Sequence, residues 1–309
     1  MTPRVLVTLA MAIAAMLAMP ANSADTLSPD CKLPSEPVPI SFVRAPKLVG
    51  VPIALALGSG SLHGLAHIGI IEELEARGLD ARIVTGTSAG ALVGALWASG
   101  LTGTQIETLL DDADWKTARQ FALSRQAFFS NEPLRVKLAG IFAGRPIESW
   151  PRRFGAVATN VADGTRRLLI TGDGALAVQA STATPVLFRP VTVGNEQLVD
   201  GALVEPNPFQ AARDLGAEVV IAVDVAYRPY EDTASGMGDL AFQSMHILVN
   251  ALGAQQLDEA DVAIRLDVHA VYSKCGHAAT VAAGRAAARK AWPEIIKALT
   301  TRAERRAAR

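Results

Sequence analysis

A chain of 309 residues, half of them hydrophobic, with a net charge of −1 can bury a large core, as one large domain or two small ones. The near-neutral balance gives no electrostatic ground for nucleic-acid binding, and the low aromatic content (5%) with many Ala, Gly and Val suits a mixed α/β interior. The first 24 residues stand apart. Arg4 precedes an apolar run over 5–19, which ends in Pro20-Ala21-Asn22-Ser23-Ala24. A basic start, a short apolar stretch and small residues read as a signal segment, 1–24, cleaved after Ser23 or Ala24. An uncleaved anchor is the other reading, although the run is short for a span. Residues 25–50, with five prolines, read as an extended linker.

The body begins at Val51. The continuous apolar run 51–57 predicts a strand buried on both faces. Residues 58–64 form a glycine-rich loop, 65–77 a helix that Gly78 ends, and 82–85 a second strand. A tight turn around Ser88 and a helix to Ser99-Gly100 follow. Strand, loop, helix, strand, turn, helix is the pattern of a parallel sheet covered by helices. Residues 101–150 read as a helical insertion, packed rather than a mobile lid. Two hairpins are expected, one across Asp163-Gly164 and one joining 191–193 to 197–199. They flank a helix over 175–181. A helix over 206–215, a strand over 218–223, a strand over 260–268 and a long helix over 278–299 complete the chain. From Arg285 the tail carries eight basic and two acidic residues. It reads first as a solvated helix face and second as a contact for anionic lipid at a membrane surface. Cys31 and Cys275 form one disulfide or stay as two buried thiols; spacing does not separate the two.

The chemistry concentrates in G-x-S-x-G, with Gly86, Ser88 and Gly90. A serine on a strand-to-helix turn presents its hydroxyl in the open, the glycines remove Cβ atoms that would collide, and the helix N-terminus favours negative charge. This is how a fold presents a nucleophile. One strand earlier lies the loop Gly58-Ser59-Gly60-Ser61-Leu62-His63-Gly64. Its backbone N–H groups can cradle a pyrophosphate or form an oxyanion hole. The spacing G-x-G-x-x-x-G, and Thr85-Gly86 where a ribose-binding acid would stand, reject the nucleotide reading. Of five histidines (63, 67, 246, 269, 277), His269 or His277 could complete a Ser–Asp–His triad, but no motif marks either. Asp200 ends a strand and is followed by Gly201 and Ala202, so its carboxylate can approach a serine closely. No clustered carboxylate loop suggests calcium, and no cofactor is expected.

These blocks are linked in order. A-L-A-L-G-S-G-S-L-H-G-L-A-H-I-G, G-T-S-A-G, A-S-T-A-T-P-V-L-F-R-P-V and L-V-D-G-A-L-V-E-P-N-P resemble the patatin-like phospholipases over roughly residues 51–225. The resemblance implies a three-layer α/β/α sandwich on a mostly parallel sheet, with 226–309 completing the same domain. It implies hydrolysis of lipid acyl esters, phospholipid included, by a Ser88–Asp200 dyad without histidine. Gly58, Ser59, Gly60 and Ser61 would supply oxyanion N–H groups, and Gly64, Gly201 and Ala202 the supporting motif. His63 stands where the family carries Arg or Lys, so a charge that shapes the loop becomes pH-dependent. With the leader, the expected setting is the periplasm or envelope. A triad esterase and a non-catalytic lipid-binding relative remain alternatives. Head group, acyl length, positional preference and oligomeric state are open.

Overall fold

The structure, a computed structural model, describes residues 31, 51–111, 120–121, 127–226 and 236–308. The leader and, apart from Cys31, the linker lie outside the described residues. In chain order, β1 (Ile53–Leu57) leads to α1 (Leu65–Ala76), β2 (Ile83–Thr87), α2 (Ala89–Ala98) and α3 (Gly103–Asp111). Two short strands, β3 (Gln120–Phe121) and β4 (Ala127–Ser130), precede α4 (Glu132–Phe142), and β5 (Arg153–Asn160) pairs with β6 (Arg166–Leu169). Then come α5 (Gly174–Ser181), β7 (Val186–Phe188), β8 (Val191–Val193), β9 (Glu196–Asp200), α6 (Phe209–Asp214) and β10 (Val219–Asp224). The last elements are α7 (Met237–Leu257), β11 (Val262–Arg265) and α8 (His269–Ala307), which breaks at Gly276.

The main sheet runs β11-β10-β1-β2-β5-β9-β8, with β6 also on β5. Pairing from β11 to β5 is parallel, and β6, β8 and β9 join antiparallel. The sheet is therefore mixed, less uniformly parallel than the apolar strands suggested. The alternation along β1 explains the layers. Leu55 and Leu57 pack with Ile68, Leu74, Trp97 and Leu299 of α1, α2 and α8. Ala54 and Ala56 face Phe209 and Ala212 of α6 and Leu257 of α7. Large side chains fill one interlayer, and alanines let the other helices sit close. The two-sided burial that made these strands read as continuous apolar runs is thus physical.

Three features depart from the expected order. Residues 101–150 are not wholly helical, because β4 pairs with β3 and with β7 in a separate three-stranded sheet. From Glu132 onward the segment is packed, with Leu134, Leu138, Phe142 and Trp150 buried and the Phe142 and Trp150 rings 4.7 Å apart. The helix α7 was not foreseen: residues 241–257 carry no charged side chain, so no polar face marks the period. The last helix begins nine residues before its expected start. Cys31 is bonded to Cys275, their Cα atoms 5.1 Å apart, which ties residue 31 to the start of α8 just before the break. Among the described residues no helix is long and apolar enough to cross a membrane.

Candidate active site

Ser88 sits between β2 and α2 with φ 54°, ψ −119°, a left-handed backbone that a non-glycine residue adopts at a cost of about 1–3 kcal/mol. The neighbours enforce it. A Cβ on Gly90 would lie 2.0 Å from the Leu57 carbonyl oxygen, so only glycine lets α2 start against β1. The Ser88 N–H donates to Ser181 Oγ (3.0 Å), and Ser181, fully buried on α5, donates in turn to the Val157 carbonyl (2.6 Å). The strained residue is therefore held from behind by β5 and α5.

Strand pairing brings Asp200 to it from 112 residues away. Ala158 and Thr159 of β5 pair with both β6 and β9, so those strands occupy opposite edges of β5. Ala156 and Val157 pair with both β6 and β2, so β2 also lies opposite β6. Hence β9 follows β2 end to end along one edge. Thr87 faces Val157 and Asp200 faces Ala158, which sets the last residue of β9 one rung from the last residue of β2. The Ser88 hydroxyl donates to Asp200 Oδ2 at 2.8 Å. The chain then turns sharply: a Cβ on Gly201 would lie 2.2 Å from the Val157 carbonyl oxygen, and the Ala202 N–H donates to Asp200 Oδ1 at 2.9 Å.

Asp200 is 4% exposed. Burial drives its carboxyl from an ordinary 3.8 up to about 6, against hydrogen bonds from Ala202, Ser88 and Thr184 that favour the charged form. The Thr184 hydroxyl donates to the same oxygen as Ser88, Oδ2, at 3.0 Å. Neither Ser88 nor Asp200 hydrogen-bonds an imidazole. His277 lies beside Asp111 (3.4 Å), and His269 stands edge-on to His63.

The glycine loop reaches the same corner, since a Cβ on Gly64 would lie 2.5 Å from the Ala89 Cβ. Its four expected donors divide. Gly58 N–H is spent on the Val223 carbonyl (2.9 Å) and Ser59 N–H on the Pro206 carbonyl (2.8 Å), so these two residues cannot also bond an oxyanion. Among the described residues the N–H groups of Gly60 and Ser61 make no such loop bond, and Ser61 holds φ 51° at the head of a 3-10 turn, Ser61–Gly64. His67, fully buried on α1, donates Nε2–H to the Gly58 carbonyl at 2.8 Å. The peptide between Gly58 and Ser59 is thereby fixed at both its oxygen and its N–H. Burial lowers both His67 and His63 to about 4, with the His269 imidazole adding to the effect at His63. The pH dependence expected of a histidine in this loop is thereby moved to the acidic side, because desolvation disfavours the charged imidazole.

Ser181, Thr184 and His67 acquired no role from the sequence. The first two lie inside the A-S-T-A-T-P block, whose position next to the aspartate strand was the available signal.

A family model for patatin-like phospholipases matches residues 55–213. An uncharacterized NTE family protein of Mycobacterium tuberculosis is 32% identical over 184 residues, 56% of this chain and 49% of the relative. Lysophospholipase NTE1 of Pyricularia oryzae is 29% identical over 66% of this chain and 14% of its own length. Patatin-like phospholipase domain-containing protein 7 of Rattus norvegicus is 32% identical over 60% and 14%. The chain thus spans half or less of these relatives' lengths. VipD from Legionella pneumophila shares the fold, with a TM-score of 0.55 at 14% identity over 90% of this chain and 72% of that one. With half of its length matched to the family model, the chain belongs to the patatin-like phospholipases.

Proposed function

We propose that this protein hydrolyses acyl esters of lipids, phospholipids or lysophospholipids, with Ser88 as nucleophile and Asp200 as general base. The observation that carries the reading is the 2.8 Å hydrogen bond from a half-buried serine on a tight strand-to-helix turn to a buried carboxylate whose pKa is raised to about 6. A base poised near the working pH combines availability with driving force: at pH 7 roughly nine-tenths of Asp200 is ionised. Asp200 takes the Ser88 proton as Oγ attacks the ester carbonyl. The tetrahedral oxyanion is received by Gly60 and Ser61 N–H and by the positive end of α2. Collapse breaks the C–O bond, Asp200 returns the proton to the departing alcohol or lysolipid, and an acyl-Ser88 ester remains. Water, deprotonated by Asp200, attacks that ester; Ser88 regains the proton and the fatty acid leaves. The family, and a relative that carries the name lysophospholipase, favour a lipid over a small soluble ester. A triad is less well supported, since the donors at Asp200 are Ser88, Thr184 and Ala202.

We further infer export to the periplasm or envelope. The apolar leader supports it, as does a disulfide, which persists in oxidising compartments. The test of activity is a panel of phospholipid, lysophospholipid and p-nitrophenyl ester substrates offered to wild type, Ser88→Ala and Asp200→Asn. Free fatty acid from wild type, with a loss of about 10²–10⁴-fold in Asp200→Asn, is expected. Equal turnover by all three proteins would refute the dyad.

A further inference from the structure

One four-residue stretch, Ser181 to Thr184, holds both partners of the Ser88–Asp200 pair. Ser181 Oγ accepts the Ser88 N–H, the Ala183 carbonyl accepts the Asp200 N–H at 3.0 Å, and the Thr184 hydroxyl donates to Asp200 Oδ2. The stretch begins with the last residue of α5, and α5 is capped by Asp173 through the N–H groups of Ala175 and Leu176, so it sits on a fixed element. The first two contacts set backbone position. The third acts on the reacting oxygen.

We propose that Thr184 is a positioning residue for the base: its hydroxyl holds Asp200 Oδ2 toward Ser88 and sets how readily that oxygen takes a proton. This rests on the reading of Asp200 as base. A carboxylate has about four acceptor sites. Oδ1 uses one on the Ala202 N–H, while Oδ2 serves Ser88 and Thr184 together. With Oδ1 and Oδ2 each anchored by a donor other than Ser88, the carboxylate plane cannot turn away when the serine proton moves. A hydroxyl donating to a carboxylate bonds the charged form more strongly than the acid. Thr184 therefore opposes the rise that burial causes, keeping the base ionised at a lower pH than the same site would without it.

No ionised neighbour does this instead. On β9, Glu196 is tied to Arg167 and Asn160. In the turn after it, Glu205 is tied to Arg166 and the Ala211 N–H. Neither α2 nor α5 carries a charged residue, and His63 in the glycine loop is lowered to about 4. The influences on Asp200 are burial and three hydrogen bonds, and Thr184 supplies the one side-chain donor besides the nucleophile.

The experiment measures kcat and kcat/KM against pH for wild type, Thr184→Val and Thr184→Ser on one lysophospholipid substrate. Thr184→Val is expected to move the acidic limb of the kcat/KM profile upward by about one pH unit and to lower the plateau kcat, with KM little changed. Thr184→Ser, which keeps the hydroxyl, should restore the limb. A merely structural threonine would lower activity without moving the limb, or would fail equally as serine; either result overturns the proposal. Thr184→Ala gives the same readout should the valine variant not fold. If Ser88→Ala and Asp200→Asn themselves keep full turnover, the fault lies with the dyad reading and Thr184 loses its assigned role with it.

Discussion

Replacing Asp200 by Asn should stabilise the protein at neutral pH while lowering turnover by about 10²–10⁴-fold. Asp200 is nearly inaccessible, and burial raises its carboxyl from 3.8 to about 6. The fold therefore prefers the protonated acid. Below about pH 4 the group is protonated in both folded and unfolded chains, and this contribution is fully present. Between 4 and 6 the unfolded chain ionises first, and stability is lost with rising pH until the folded group ionises too. The difference of about two pH units corresponds to roughly 3 kcal/mol above pH 7. Asn carries no charge at any pH. Its oxygen can keep the Ala202 N–H, and its amide can face the Ser88 and Thr184 hydroxyls, which rotate to accept. The advantage of Asp200→Asn over wild type should thus be near zero at pH 4, grow through pH 5 and 6, and level at roughly 3 kcal/mol, or about 5–10 °C in Tm for a domain of this size. Thermal unfolding of both proteins across pH 4–8 reads this directly. Curves that stay parallel across that range would show that the carboxylate is not desolvated, and the argument for a poised base would fail.

Three other perturbations probe the frame around the pair. Gly90→Ala places a methyl group 2.0 Å from the Leu57 carbonyl; it should cost several kcal/mol and be seen as lost soluble expression or a strongly lowered Tm, and a normally stable variant would contradict the close approach of α2 to β1. His67→Leu strands the buried Gly58 carbonyl, at a cost of about 1–3 kcal/mol, and should lower kcat more than it raises KM because the Gly58–Ser59 peptide loses its anchor; an unchanged kcat would separate His67 from the loop. Cys275→Ser opens a 244-residue loop, worth at most about 5 kcal/mol by chain entropy, so its Tm should fall while the pH profile stays in place; a wild-type Tm would mean the bond constrains little.

How much of this could be read from the residues alone follows from how local each feature is. The Ser88 turn was legible because its determinants, an apolar strand, two glycines and a small-residue helix, lie within about ten residues. Asp200 was legible as the end of a strand before Gly201, but its meeting with Ser88 depends on β9 continuing the edge of β5 that β2 vacates, a matter of sheet register. Thr184 and His67 act through single hydrogen bonds to distant partners, and nothing in their neighbours predicts those partners. The loop donors were over-assigned at Gly58 and Ser59 because spacing shows where N–H groups lie and not that Val223 and Pro206 already accept them. The helix α7 is not legible in the sequence because Asp239 is its one charged residue, so no charged stripe sets its period. Residues 127–130 were read as helical, yet they pair with β7 more than fifty residues on, a tertiary contact that overrides local preference.

The most direct test of the central claim is mass spectrometry of the protein after exposure to a fluorophosphonate and, separately, to a slowly hydrolysed acyl ester. The phosphonyl and acyl groups should both be found on the peptide containing Ser88, forming about 10²–10⁴-fold more slowly in Asp200→Asn, with no adduct in Ser88→Ala. An adduct on any other residue, or undiminished labelling of Ser88→Ala, would contradict the account.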